Sequence, residues 1–256
     1  MVDMSAGILE CVHLDDSHVV MTLDAREIAA ASRPGHFAML GVGEETDPLL
    51  RRPLGIMDAE SDRISFFFQV AGRGTALLSR KRPGDKVPVL GPLGNPFPEV
   101  SGRSILAVAG GRGIAPLLFA LKEYQADNRV CLVYGARRAA ELHLRDRIGA
   151  LGLAKTVYCT EAGDFGIQGL VTDHLAEILS EQSVDMTISC GPHAMLAAMA
   201  SRLESTGTED YMSAEAIMGC GIGACHSCVV PGKTGGYLRV CRDGPVFLRE
   251  SVQWRT

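Results

Sequence analysis

The strongest constraint on this chain lies in its tail, where Cys220, Cys225, Cys228 and Cys241 follow one another as C-x4-C-x2-C-x12-C. The first three have the ligand spacing of plant-type 2Fe–2S sites. Such a cluster takes four thiolates, and a segment that carries three of them must curl round it with its amides facing inward. Gly219, Gly221, Gly223 and Ala224 suit that curl, because small residues admit left-handed backbone angles and close approach to sulfur. The spacing predicts a carrier of single electrons. Two other uses of cysteine compete with it. Structural zinc usually takes two C-x2-C knuckles, whereas only Cys225 and Cys228 form one here. Disulfides call for an oxidising compartment, which the acidic start MVDMSAGILE, lacking a basic and then apolar leader, does not indicate. His226 falls inside the loop and is expected to face solvent or a partner, since four cysteines already complete the site.

With 256 residues, 46% of them hydrophobic, the chain has material for two domains and a small appendage. A net charge of −5 without any Lys/Arg-rich run argues against a nucleic-acid surface. No apolar run approaches the ~20 residues that cross a bilayer. The expectation is a soluble, cytoplasmic protein with neither nucleic acid nor membrane as partner. Cys11, Cys131, Cys159 and Cys190 are scattered without knuckle spacing and read as buried free thiols.

The pattern changes twice along the chain, which predicts an α+β multidomain protein with limits at 1–100, 101–210 and 211–256. The first part shows short strand-like runs, ILECVHL, HVVMTL, HFAMLGV, RISFFFQV and DKVPVLG, with poor helical periodicity, as in a small antiparallel barrel. From about Ser101 strand-like and helix-like runs alternate: SILAVAGG, GIAPLLFALKEYQA, RVCLVYGA, AAELHLRDRIGAL, TVYCTE, LVTDHLAEILSE, DMTISCGP and HAMLAAMASRLES. That alternation predicts a parallel sheet covered by helices on both faces, the architecture of nucleotide-binding domains. From Tyr211 onward too few residues remain for a core, so the cluster is expected to staple the tail.

Three turns stand where ligands bind. Gly110-Gly111-Arg112-Gly113-Ile114-Ala115-Pro116 follows an apolar strand and opens an expected amphipathic helix, a unit whose free amides suit a pyrophosphate. Cys190-Gly191-Pro192 ends the last strand of the same sheet, so both turns are expected at one crevice, with the Cys190 thiol bordering a nicotinamide. In the barrel, Arg51-Arg52-Pro53-Leu54-Gly55 and Ala71-Gly72-Arg73-Gly74-Thr75 offer guanidinium groups and turn amides for phosphate.

Taken together, these segments resemble the ferredoxin–NADP reductase superfamily, and within it the electron transfer subunits of NAD-dependent, two-subunit dihydroorotate dehydrogenases, over essentially the whole chain. Pro34-Gly35-His36-Phe37 is similar to the family's P-G-Q-F strand and Arg52-Pro53-Leu54-Gly55 to its flavin motif. Phe67-Phe68-Gln69 stands where the family has Leu-Tyr-Arg, and Gly74-Thr75 at its flavin-phosphate turn. Gly110 to Pro116 resembles A-G-G-x-G-I-A-P, Cys190 to Pro192 the C-G-P turn, and Cys220 to Phe247 the cluster segment that ends C-x-D-G-P-V-F. Gly55 replaces a serine close to flavin N5, Phe68 and Gln69 replace a phenol and a phosphate-pairing arginine, and His36 replaces a glutamine; Arg51, Arg73 or bound water is expected to substitute for the missing groups.

The resemblance implies an FAD-binding barrel, an NAD-binding domain and a 2Fe–2S domain. Cys220 and Cys225 would hold one iron, and Cys228 and Cys241 the other. Arg52 would neutralise the FAD pyrophosphate, and Gly74 and Thr75 would position it. It also implies a separate FMN-containing catalytic subunit, two of each chain in a heterotetramer, which oxidises dihydroorotate in pyrimidine biosynthesis and sends electrons through the cluster and FAD to NAD+. Pro245-Val246-Phe247 is then expected to be buried by that partner. Arg137 and Arg138 follow VCLVYGA, about where a 2′-phosphate would be met, while the resemblance points to NAD. A reductase subunit of a hydrogenase, transhydrogenase or oxygenase is the alternative with the same chemistry, and a zinc-stapled binding module the alternative without it.

Overall fold

A computed structural model describes residues 1–42, 47–181 and 183–254. Six strands close a barrel in the order β1-β2-β5-β4-β3-β6: β1 (Val2–His13), β2 (His18–Asp24), β3 (Phe37–Leu40), β4 (Arg52–Glu60), β5 (Arg63–Gln69) and β6 (Lys86–Leu93). All its pairings are antiparallel. Its interior is filled by residues such as Val19, Met21, Leu23, Ile56, Ile64 and Phe66, which alternate along the strands because successive side chains point to opposite faces. Two short helices interrupt the barrel, α1 (Arg26–Ala31) and α2 (Arg73–Ser79), where the sequence pattern indicated only turns. At six and seven residues neither is long enough to display a helical period.

The second sheet has seven strands in the order β10-β9-β8-β7-β11-β12-β15, built from β7 (Ser104–Gly110), β8 (Arg129–Ala136), β9 (Lys155–Thr160), β10 (Ile167–Gln168), β11 (Met186–Cys190), β12 (Glu209–Ser213) and β15 (Val246–Leu248). The first six are parallel and β15 is antiparallel to β12. Ile105, Ala107 and Ala109 of β7 face α3 (Ile114–Tyr124), while Leu106 and Val108 join the core under α5 (Leu175–Glu181) and α6 (His193–Arg202). Helices therefore cover both faces, as the near-continuous apolar strands require.

Three elements depart from the sequence pattern. The helix expected over AAELHLRDRIGAL is a single 3-10 turn at Ala139–Glu141 and a short α4 (Arg145–Gly149), separated by Leu144 at a φ of 62°. Helix α3 is not amphipathic: Ile114 to Leu121 are all buried, because the helix is wedged between its own sheet and barrel strand β4. Lys122 at its exposed end reaches Asp58 of β4 at 3.0 Å. The limit drawn at 210/211 falls inside β12, and the tail returns to the sheet as β15. In the tail itself β13 (Val229–Pro231) and β14 (Tyr237–Arg239) form a hairpin. Its core is shared, since Cys228, Val240, Cys241 and Phe247 pack with Phe37, Met39 and Leu93 of the barrel. Barrel side chains thus supply what the short tail lacks. Pro245, Val246 and Phe247 are buried within the chain, so the expectation that a partner covers them is corrected: Val246 packs into the core under α3, Phe247 into the core shared with the barrel, and Pro245 against Gly94.

Candidate functional site

Five backbone amides point at three of the four tail sulfurs. Ile222, Ala224 and Cys225 donate to Cys220 Sγ at 3.5, 3.3 and 3.4 Å, Gly223 donates to Cys241 Sγ at 3.1 Å, and Cys241 donates to Cys228 Sγ at 3.4 Å. Gly221 and Gly223 turn the loop with φ of 74° and 83°. A Cβ on Gly221 would stand 2.5 Å from Met39 Cγ, so a side chain there would lift the loop off strand β3. The thiols differ in environment. Cys225 is exposed and hydrogen-bonded by the Ser227 hydroxyl, which lowers its pKa to about 6, while burial pushes Cys241 up to about 12. This donor set, four sulfurs cradled by amides that stabilise electron-rich thiolates, fits a 2Fe–2S cluster. His226 is exposed on the loop.

A first cleft opens between the barrel and the second sheet. Pro53, Leu54, Gly55, Phe67, Phe68, Gln69 and Thr75 line it from the barrel side, and Ala115, Pro116 and Cys190 from the other. Arg52, next to Pro53 in β4 but not itself among the lining residues, donates to the Leu50 carbonyl. Its guanidinium lies across the start of α2, where a Cβ on Gly74 would be 2.1 Å from Arg52 Nε. The Thr75 hydroxyl binds the Ala71 and Gly72 amides at 3.0 and 3.1 Å and so shapes this turn. Arg51 is paired bidentately with Asp3 at 2.8 and 3.2 Å, and Arg73 with Asp47 at 2.6 Å. Each guanidinium is thus held in a surface ion pair, and neither residue lines the cleft.

A second cleft is walled by Gly110, Gly111, Gly113, Gly191 and Pro192 and by Arg137. Ile114 lines neither cleft and is fully buried in the core. The two glycine turns press on each other: a Cβ on Gly113 would lie 2.1 Å from the Cys190 carbonyl oxygen and one on Gly110 2.6 Å from Met195 Sδ. Cys190 itself is fully buried, and that burial raises its pKa so that the thiol stays neutral. Gly113→Ala is expected to cost about 1–3 kcal/mol, since the obstructing atom is backbone and cannot swing aside. A thermal midpoint equal to wild type would contradict this close approach.

Gln69, Arg112 and Glu215 line both clefts and form their junction, with Arg112 donating to Gln69 Oε1 at 2.6 Å. Arg112 lies between the glycines of the recognised turn but is not itself a conspicuous residue. Glu215 follows the C-terminal end of β12, the edge where parallel sheets bind ligands. The sequence hid it because β12 itself was not legible.

Comparison with known proteins agrees with this layout. The family model for the iron–sulfur cluster binding domain of dihydroorotate dehydrogenase B matches residues 215–253, and that for an oxidoreductase NAD-binding domain matches residues 107–201. The solved structure of an NADH-dependent reduced ferredoxin-NADP oxidoreductase superposes with a TM-score of 0.84 at 28% identity, covering 97% of this chain and 90% of that one. A ferredoxin NADP+ reductase from Neisseria gonorrhoeae, with bound FAD and NADP, shares the fold at a TM-score of 0.67 and 21% identity, over 80% of this chain and 92% of that one. The "Dihydroorotate dehydrogenase B (NAD(+)), electron transfer subunit" of Geobacillus thermodenitrificans is 40% identical over 245 residues, and that of Bacillus caldolyticus 39% over 242, each alignment covering 91% of both chains. A barrel, a parallel nucleotide sheet and a cysteine tail in one chain, matched over 91% of its length at this identity, establish that the protein belongs to the family of dihydroorotate dehydrogenase B (NAD(+)) electron transfer subunits.

Proposed function

We propose that this chain carries electrons between NAD and a dihydroorotate dehydrogenase catalytic subunit, with FAD in the first cleft, NAD in the second and a 2Fe–2S cluster on Cys220, Cys225, Cys228 and Cys241. The observation that carries the reading is the position of the first cleft. Phe37 and Met218 belong both to its wall and to the core that holds Cys228 and Cys241, while Gln69, Arg112 and Glu215 belong both to it and to the second cleft. When bound, FAD supplies the conversion between hydride transfer at a nicotinamide and single-electron transfer at an iron–sulfur cluster.

The chain's own residues bind, orient and shield. Arg52, held over Gly74, neutralises the FAD pyrophosphate, and the Thr75-shaped turn fixes where it lies. Gly110, Gly111 and Gly113 with Gly191-Pro192 seat the dinucleotide, while Ala115 and Pro116 of the same turn face the first cleft. Cys190, a neutral thiol on the wall of the first cleft, would border a nicotinamide only where that ring reaches in from the second cleft to meet the flavin. Cys220 and Cys225 hold one iron, Cys228 and Cys241 the other.

The partner carries FMN, and two copies of each chain assemble. The proposed setting is the cytoplasm, where Cys11, Cys131, Cys159 and Cys190 stay reduced beside the four cluster thiolates; among the described residues no helix is long and apolar enough to cross a membrane. A transhydrogenase-type subunit is the second reading, favoured by the 28% identical neighbour. Anaerobic co-purification with native partners, with an absorption spectrum and iron, sulfide and flavin analysis, tests both. Expected are FAD, two irons and two sulfides per chain and a flavin-containing dihydroorotate-oxidising partner. Stoichiometric zinc without sulfide, or a different partner enzyme, would overturn the reading.

A further inference from the structure

Away from the cofactor clefts' junction, Asp15, His18 and His143 bring three potential metal-ligating atoms within 4.8 Å of one another. Asp15 lies in the turn between β1 and β2, His18 opens β2, and His143 precedes α4, so the group bridges barrel and nucleotide domain on the wall of the second cleft.

The carboxylate is pre-oriented. Asp15 Oδ1 accepts from the Ser17 and His18 amides at 2.7 and 2.8 Å. Oδ2 faces His143 Nε2 at 3.3 Å, and His18 Nδ1 lies 3.0 Å from both carboxylate oxygens and 3.0 Å from the Ser17 hydroxyl. The imidazole of His143 is 9% exposed, yet its Nε2 makes no hydrogen bond and is closed off from solvent. A buried ring nitrogen without a hydrogen-bond partner, aimed at a carboxylate oxygen, is an uncompensated polar group that an ion would satisfy. The rings of His18 and His143 stand 4.2 Å apart, braced by Phe67 at 5.6 and 5.5 Å, so neither is free to swing to another partner.

We infer that Asp15, His18 and His143 form a binding site for a divalent transition-metal ion of the zinc class. Zinc bonds of about 2.0–2.1 Å in tetrahedral array separate donor atoms by about 3.3 Å, close to the two Asp15–histidine distances. Two neutral imidazoles and a carboxylate suit a borderline ion better than magnesium or calcium, which take oxygen ligands. The fourth position faces the cleft and takes water. Such an ion ties the two domains together at the wall of the second cleft.

The test is calorimetric titration of the protein carrying its flavin and cluster with Zn2+ alone, for wild type, His143→Gln and His18→Gln. One equivalent is expected to bind to wild type, with affinity reduced by roughly 100-fold in each variant. Flavin content and zinc-free thermal midpoints verify that the variants are folded. Wild-type crystals soaked in Zn2+ provide a measurement that needs no variant, with an anomalous peak expected among Asp15 Oδ2, His18 Nδ1 and His143 Nε2. Equal affinity in folded wild type and variants, or zinc density only elsewhere, overturns the site.

Discussion

Cys225→Ser is expected to abolish dihydroorotate-dependent NAD+ reduction by the assembled complex, a fall of at least about 100-fold, while NADH oxidation with ferricyanide stays within about twofold of wild type. The argument rests on where Cys225 sits. It is exposed at the tip of the loop, whereas Cys228 and Cys241 belong to the core shared with Phe37 and Met39. Replacing its sulfur with oxygen removes a proposed iron ligand without opening a cavity in that core. Partner and nucleotide are then disconnected, but ferricyanide draws on the flavin side directly and does not need the cluster. The control is FAD content, because Phe37 and Met218 connect the cluster core to the first cleft and a collapsed tail would disturb both. A flavin-replete, cluster-free variant that still couples the two half-reactions at the wild-type rate would show that the route lies elsewhere.

Retention of FAD supplies the second large effect. Arg52→Ala removes a charge-assisted contact from a partly buried position, a loss of about 2–4 kcal/mol or roughly 30- to 1000-fold in affinity. Gly74→Ala offers an independent route to the same result. The new methyl would fall 2.1 Å from Arg52 Nε, and the flexible guanidinium, rather than the helix, would give way. Alanine is also the better helix former, so a fall in flavin affinity with an unchanged or raised thermal midpoint points to the displaced arginine. Arg137→Ala, on the second cleft, is expected to leave flavin bound. Gel filtration followed by flavin quantification separates these cases, and equal FAD content in the Arg52 and Arg137 variants would mean that another group holds the phosphates.

Much of this architecture is legible along the chain because the signals are local. Spacing of the four cysteines encodes a loop that must curl, and strands β7 and β8 are near-continuous apolar runs, the signature of burial on both faces. The glycine turns also follow from local geometry, since their amides serve a ligand only without side chains in the way. Where elements are short, the periodicity never completes: β12 has five residues and α2 seven, so neither repeats often enough to be seen, and Glu215 was hidden with them.

Other features depend on segments distant in sequence, and only the tertiary structure decided them. Burial of α3 on all sides comes from barrel strand β4, and burial of Val246 and Phe247 from the core under α3 and the core shared with the barrel. Arg51 and Arg73 look available as charges in sequence, but Asp3 and Asp47 take them up. The Asp15, His18 and His143 group has no spacing at all to announce it, since its members come from two domains. Residue type and spacing determine which chemistry the chain can support, because ligand identity and turn geometry are local properties. Which groups meet, and which charges remain free for a cofactor, is determined by packing between domains, because contact energies act through space and not along the chain.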